Sequence, residues 1–128
     1  MRLLDGIRIL GPDDGALSAG RGSTRRELVG AADTGDRWRF GEVVADPDED
    51  VGTHVHPGEA EVIVILEGDV ELHGSHDIAA LQPGDVVVIP PDTEHGIRTP
   101  NGGRWLAVWP VAERIPGPRY SATPRRAG

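Results

Sequence analysis

The chain has 128 residues, enough for one domain with its own core, and no cysteine, which excludes disulfides, thiolate metal ligands and cysteine nucleophiles. Thirteen basic against 21 acidic side chains leave a net charge of −8, the wrong sign for a nucleic-acid binder or for a protein drawn to anionic membranes. The opening MRLLDGIRIL carries Asp5 and Arg8 where a signal peptide is apolar, and no stretch has the length of a transmembrane helix, so a soluble cytoplasmic protein is expected.

In chain order, RLLDGIRIL (2–10) reads as an edge strand. Residues 11–36 are rich in Gly, Ala, Asp and Ser with little periodicity. Thr24 and Glu27 have capping-box spacing, but only Leu28 and Val29 follow before Gly30, so no more than a short helical turn is expected there. RWRFGEVVA (37–45) alternates polar and apolar residues as a strand does. In DPDEDVG (46–52), Asp46, Asp48 and Asp50 have the first spacings of an EF-hand loop. Val51 then stands where that loop needs glycine and Pro57 where it needs a bidentate glutamate, so a solvated acidic turn is expected instead of a calcium site.

Short strands follow in quick succession: THVHP, EVIVILEG, DVELHG, DIAAL, PGDVVVIP, HGIRT and RWLAVWP. Gly- and Pro-containing turns separate them, at Pro57-Gly58, Gly68-Asp69, Gly74-Ser75, Pro83-Gly84, Pro90-Pro91 and Asn101-Gly102-Gly103. The pattern predicts an all-β fold, an antiparallel sandwich or barrel with few or no helices. The basic, proline-punctuated IPGPRYSATPRRAG (115–128) reads as a tail. The expected organisation is an N-terminal arm over 1–36, a barrel over 37–114 and a tail over 115–128.

Within THVHPGEAEVIVILEG (53–68), His54 and His56 are two apart on one strand, so both rings point the same way toward a common centre. Pro57-Gly58 turns the chain, and Glu61 opens the next strand on the face of Ile63 and Ile65, with Val62, Val64 and Leu66 on the other. An ionised glutamate in so apolar a strand carries a heavy desolvation cost, which a metal ion or a basic partner offsets. Glu59, of the same parity, is the alternative carboxylate. A His-x-His alone is weak evidence, since two solvent-facing histidines at a loop edge produce the same pattern.

Gly52, His54, His56, Glu61 and Gly68 are followed by a second block, PGDVVVIPPDTEH, with Pro83, Gly84, Asp85, Pro90 and His95. Together, over about residues 40–110, they resemble the two motif blocks of the cupin superfamily. The resemblance implies a small, RmlC-like, double-stranded jelly-roll barrel in which His54, His56, Glu61 and His95 bind one divalent metal. The sequence departs from that pattern at Asp92, where glycine is usual, at Thr99, where asparagine is frequent, and in the spacing of Gly52 before His54. At Asp92 and Thr99 a changed turn geometry is expected, with the ligands retained. His73 and His76, in the hairpin between the blocks, are expected to be exposed.

Three imidazoles and a carboxylate suit Fe2+, which the resemblance favours, or Mn2+, Ni2+, Co2+ or Zn2+. Four protein ligands leave two positions on a six-coordinate ion. The resemblance therefore implies a metal-dependent enzyme, first a non-heme Fe(II) dioxygenase acting on a small oxygenated metabolite. A redox-silent isomerase, cyclase or lyase is the alternative, and a non-catalytic cupin binding a sugar or small acid is a third reading. Further catalytic groups are expected in the barrel lining, with Arg39, Glu42, Arg104, Trp105 and Tyr120 as candidates. Trp105, Ala107 and Trp109 share one strand face and can equally be packing residues. No Gly-x-Ser-x-Gly elbow supports serine hydrolysis, Ser75 lying in a turn. The apolar Val62, Val64 and Leu66, with Val86 and Val88 or Val87 and Ile89, exceed what one sheet face needs. A homodimer is expected, with the N-terminal segment as an exchanged or edge strand.

Overall fold

The computed structural model describes residues 1–20 and 22–114. Twelve strands appear in it: β1 (Arg2–Leu4), β2 (Ile7–Ile9), β3 (Ala16–Gly20), β4 (Ser23–Val29), β5 (Trp38–Ala45), β6 (Glu49–His54), β7 (Glu61–Gly68), β8 (Val70–His73), β9 (Ile78–Leu81), β10 (Val86–Ile89), β11 (His95–Thr99) and β12 (Gly103–Pro110). A four-residue 3-10 turn, Ala31–Thr34, is the one helical element among the described residues. Every pairing between neighbouring strands is antiparallel.

Six strands form one sheet in the order β10-β7-β12-β5-β4-β3, and four form a second in the order β6-β11-β8-β9. Sequence neighbours such as β6 and β7 thus lie in different sheets, as a jelly roll requires. Among the described residues the two sheets are separate and do not join into one closed hydrogen-bonded barrel. The core between them comes from alternate positions: Ile63 and Ile65 of β7, Val43 and Ala45 of β5, Trp105, Ala107 and Trp109 of β12, and Ile97 of β11. Along β7 burial alternates from Glu61 onward, with Val62, Val64 and Leu66 half-buried on the outer face, so the strand is fully covered on one side only.

Residues 11–36 differ most from expectation. Besides the 3-10 turn at Ala31–Thr34 they supply β3 and β4, with β4 paired to β5 from Ser23↔Ala45 to Val29↔Phe40. Thr24 and Glu27 lie on β4 and cap no helix. The acidic segment is a turn only around Pro47 and Asp48; Glu49–Gly52 already run in β6. At the N-terminus, β1 and β2 pair with each other as a two-stranded hairpin through Asp5-Gly6, both at positive φ, the backbone of a primed hairpin turn. The hairpin is separate from the two main sheets.

Gly68, the last position of the first block, has φ of 95°, and a Cβ there would meet the Gly102 carbonyl oxygen at 2.3 Å. Glycine at this position is what lets β7 and β12 run side by side to their ends.

Candidate metal centre

The two sheets contribute to one cluster. His54 ends β6, and its Cα partner is His95 at the start of β11, so the smaller sheet supplies two imidazoles side by side. Val55, almost wholly buried, is pinned by two backbone hydrogen bonds with Arg114, at 2.9 and 2.7 Å. His54 and His56 flank that bridge and point inward. Glu61 opens β7 opposite Ile89, and it brings the carboxylate across from the larger sheet.

At the centre, Glu61 Oε1 lies 2.9 Å from His95 Nε2, 3.1 Å from His56 Nε2 and 4.0 Å from His54 Nε2. The four ligand atoms all fall within 4.8 Å of one another, a group that could hold a metal ion. His56, Glu61 and His95 are buried, and His54 is partly so.

The opposite edge of each ring is tied to the backbone. His54 Nδ1 lies 3.0 Å from the Gly52 carbonyl, His56 Nδ1 2.8 Å from that of Ala112, and His95 Nδ1 2.9 Å from that of Thr93. A carbonyl only accepts, so each Nδ1 carries the proton, and in the neutral ring Nε2 is left as a lone pair. Three lone pairs then face one carboxylate. Either protons on the rings or a cation at their centre must relieve that repulsion, and a divalent ion satisfies all four groups together. The residues therefore fit a nitrogen- and oxygen-liganded divalent metal.

Electrostatics within the cluster agree. Burial pushes the Glu61 carboxyl up, but the imidazoles of His56 and His95 outweigh it and hold the pKa at about 2. Burial lowers His54, and the neighbouring His95 adds to that. Burial would lower His56 too, yet the Glu61 carboxylate and the Ala112 carbonyl reverse the sign and raise it.

The alternative carboxylate, Glu59, is half-buried and pairs with Arg37 at 3.6 Å, away from the cluster. His73 contacts Glu71 at 3.2 Å and is half-buried, while His76 lies exposed in the hairpin turn. Asp92 adopts φ of 62°, in the left-handed region glycine favours, so the turn keeps its backbone without glycine. Its N–H donates to the His56 carbonyl at 3.0 Å and helps to fix that residue. Thr99, buried, donates its hydroxyl to the Asp46 carbonyl at 2.9 Å and ties the end of β11 to the turn before β6.

A small cavity of about 50 Å³, open at one side, adjoins the cluster. Val43, Ile97, Trp105, Ala107 and Trp109 make its apolar wall, and Ser23, Arg25 and Glu113 its other polar positions. Of the expected catalytic groups, only Trp105 is in this lining. Arg39 reaches the Trp109 indole, 5.9 Å from its centroid, without entering the lining. Glu42 and Arg104 are off it altogether: they pair at 2.8 Å, and Arg104 also binds Glu67 at 2.9 Å. The physical reason is parity, since Arg104 and Glu42 neighbour Trp105 and Val43 on their strands and must face the other way. Tyr120 lies outside the described residues. Ser23, Arg25 and Glu113 are absent from the expectations because β4 was not legible as a strand and Glu113 follows β12 with no periodic signal.

A family profile for the cupin domain matches residues 41–109. No curated protein matches the chain. Among solved structures, the chain is similar to the polyketide cyclase RemF from Streptomyces resistomycificus, at 24% identity over 85% of this chain and 82% of that one, with a TM-score of 0.71. It is also similar to an RmlC-like cupin from Shewanella frigidimarina, at 20% identity over 83% and 92% of the two chains and a TM-score of 0.70. A predicted oxalate decarboxylase from Thermotoga maritima is 26% identical over 67% and 77%, with a TM-score of 0.62. The profile match spans more than half of the chain, including both motif blocks and all four clustered residues, and the chain belongs to the cupin-domain family.

Proposed function

We propose that the protein is a divalent-metal-dependent enzyme for a small oxygenated molecule, with His54, His56, Glu61 and His95 as ligands and redox-silent acid–base chemistry as its reaction class. The observation that carries the choice of class is Glu113. Besides Glu61 it is the one carboxylate in the cavity lining among the described residues, and its charge acts on both His54 and His56. A carboxylate beside the site is suited to proton transfer, which isomerisation, cyclisation and elimination require.

A bound divalent ion would supply Lewis acidity toward a substrate carbonyl or hydroxyl oxygen. Glu113 then takes the proton from the carbon next to that carbonyl, and the electron pair left behind moves onto the carbonyl oxygen. Trp105 and Trp109 wall the reacting carbon away from water. One of the structures to which this fold is similar is named a polyketide cyclase, and cyclisation falls within this class.

Fe(II) dioxygenase chemistry is the second reading, favoured by the thiolate-free set of three imidazoles and one carboxylate. The two separate in one experiment: metal analysis of anaerobically purified protein, with oxygen uptake and solvent-deuterium incorporation followed over a panel of small diketones, catechols and hydroxy acids. The acid–base reading expects deuterium exchange without oxygen uptake, abolished by Glu113→Gln. Iron with substrate-dependent oxygen consumption would replace it by the oxidative reading, and metal binding with neither signal would leave a binding module.

We also propose a homodimer. The outer face of the larger sheet leaves Val86 and Val88 exposed beside half-buried Val64 and Val62, a continuous apolar surface on paired strands. Light scattering at micromolar concentration should give the mass of two chains, and a one-chain mass counts against it.

A further inference from the structure

We propose that Arg25 is the specificity-determining residue of the cavity, and that the preferred ligand is a small carboxylic acid with an apolar, flat body. The ligand's carboxylate meets the Arg25 guanidinium while a second oxygen faces the histidine–glutamate cluster. This inference deepens the functional reading above and rests on it only for that second oxygen.

The placement of Arg25 follows from strand register. On β4, Arg25 is the partner of Val43 and Ser23 the partner of Ala45. Val43 and Ala45 are core residues, so Ser23 and Arg25 share the inward face. Both line the cavity. The arginine is exposed to solvent, as a residue at a cavity mouth can be when it is to receive a ligand.

Among the described residues it is the one arginine in that lining. Arg8, Arg37 and Arg104 each pair with a carboxylate, and Arg26 donates to the carbonyl of Asp13. Among the described residues Arg25, like Arg2, Arg39, Arg98 and Arg114, has neither kind of side-chain partner; its guanidinium lies 5.6 Å from the centroid of the Trp109 ring. Glu113 lines the same cavity without coming into ion-pair range of it. An arginine held on an indole keeps its fork of N–H donors available, and that fork matches a carboxylate with two parallel hydrogen bonds.

Between Arg25 and the cluster the wall is apolar and includes two indoles, Trp105 and Trp109. Such a wall favours an aryl or conjugated body over a polyhydroxylated one, because sugar hydroxyls would lose water there without gaining partners. Charge alone cannot define the preference, since Glu113 repels an anion placed beside it. The carboxylate is therefore directed to the Arg25 side.

The test uses full-length protein and two probes of the same shape, benzoate and its neutral counterpart benzamide, with tryptophan fluorescence as readout because Trp105 and Trp109 border the cavity. Binding is measured on metal-loaded and on chelator-treated protein. Wild type should bind benzoate tighter than benzamide by about tenfold or more, the range of a hydrogen bond to a charged group. Arg25→Gln should abolish that preference with metal content unchanged, and Arg25→Lys should restore part of it. A preference that survives Arg25→Gln, or no preference in wild type in either form, overturns the proposal. The chelator-treated arm and the metal content separate this failure from failure of the metal-enzyme reading, since the Arg25-dependent preference needs no metal.

Discussion

If His54, His56, Glu61 and His95 hold a divalent metal as proposed, the His54→Ala, His56→Ala double variant should bind it more than about a hundredfold more weakly than wild type. Disturbing groups that only orient metal ligands already costs about 10–100-fold in affinity, and this variant removes two of the four candidate ligands outright. What remains is Glu61 and His95, 2.9 Å apart, which can satisfy each other through a shared proton and no longer need a cation. The fold should survive the change. The backbone at this point is held by Val55, whose hydrogen bonds to Arg114 involve neither imidazole. The Gly52 and Ala112 carbonyls lose their partners, a cost of about 1 kcal/mol each. Metal content after dialysis, read beside circular dichroism, checks the expectation. His73→Ala is the control, because His73 belongs to a pair with Glu71 on β8 and should leave the metal content unchanged. Metal retained at wild-type affinity in the double variant would remove these histidines from the site.

The features that made this centre legible are those in which chemistry conflicts with local pattern. Glu61 heads an otherwise apolar strand, and His54 and His56 keep strand parity immediately before a turn. His95 carried no such signal by itself; it entered through the ordered resemblance of two blocks, and the register His54↔His95 explains why blocks so far apart in sequence meet. β5 and β7–β12 were readable because one face of each is apolar or each is bounded by Gly and Pro. β4 was not, because its inward positions, Ser23 and Arg25, line a cavity and are polar. A strand whose inward face is polar loses the alternation that identifies strands. Glu42 and Arg104 illustrate the opposite case, since their exclusion follows from parity: a strand cannot present both Arg104 and Trp105 to the same interior.

Chelator-treated protein should lose about 3 kcal/mol of stability through Glu61 as the pH falls from 4.5 toward 2. The carboxyl has an ordinary value of 4.5 in the unfolded chain and about 2 in the folded one. At 1.36 kcal/mol per pH unit the gap amounts to about 3 kcal/mol. The direction follows from the lowered value. Below 4.5 the unfolded chain takes up a proton that the folded site still refuses, so acid favours unfolding until the pH passes about 2, where both states are protonated. Burial opposes this effect and is outweighed by His56 and His95, so the stabilisation depends on those rings being charged in the metal-free protein. Asp14, Asp33 and Glu67 are lowered as well, but they are common to any variant. Urea unfolding of wild type and Glu61→Gln at pH 5, 3.5 and 2.5 therefore isolates the contribution of Glu61 as a difference. That difference should shrink with falling pH. A difference that stayed constant would mean that Glu61 is not ionised against its histidines, and the electrostatic account of the centre would fail with it.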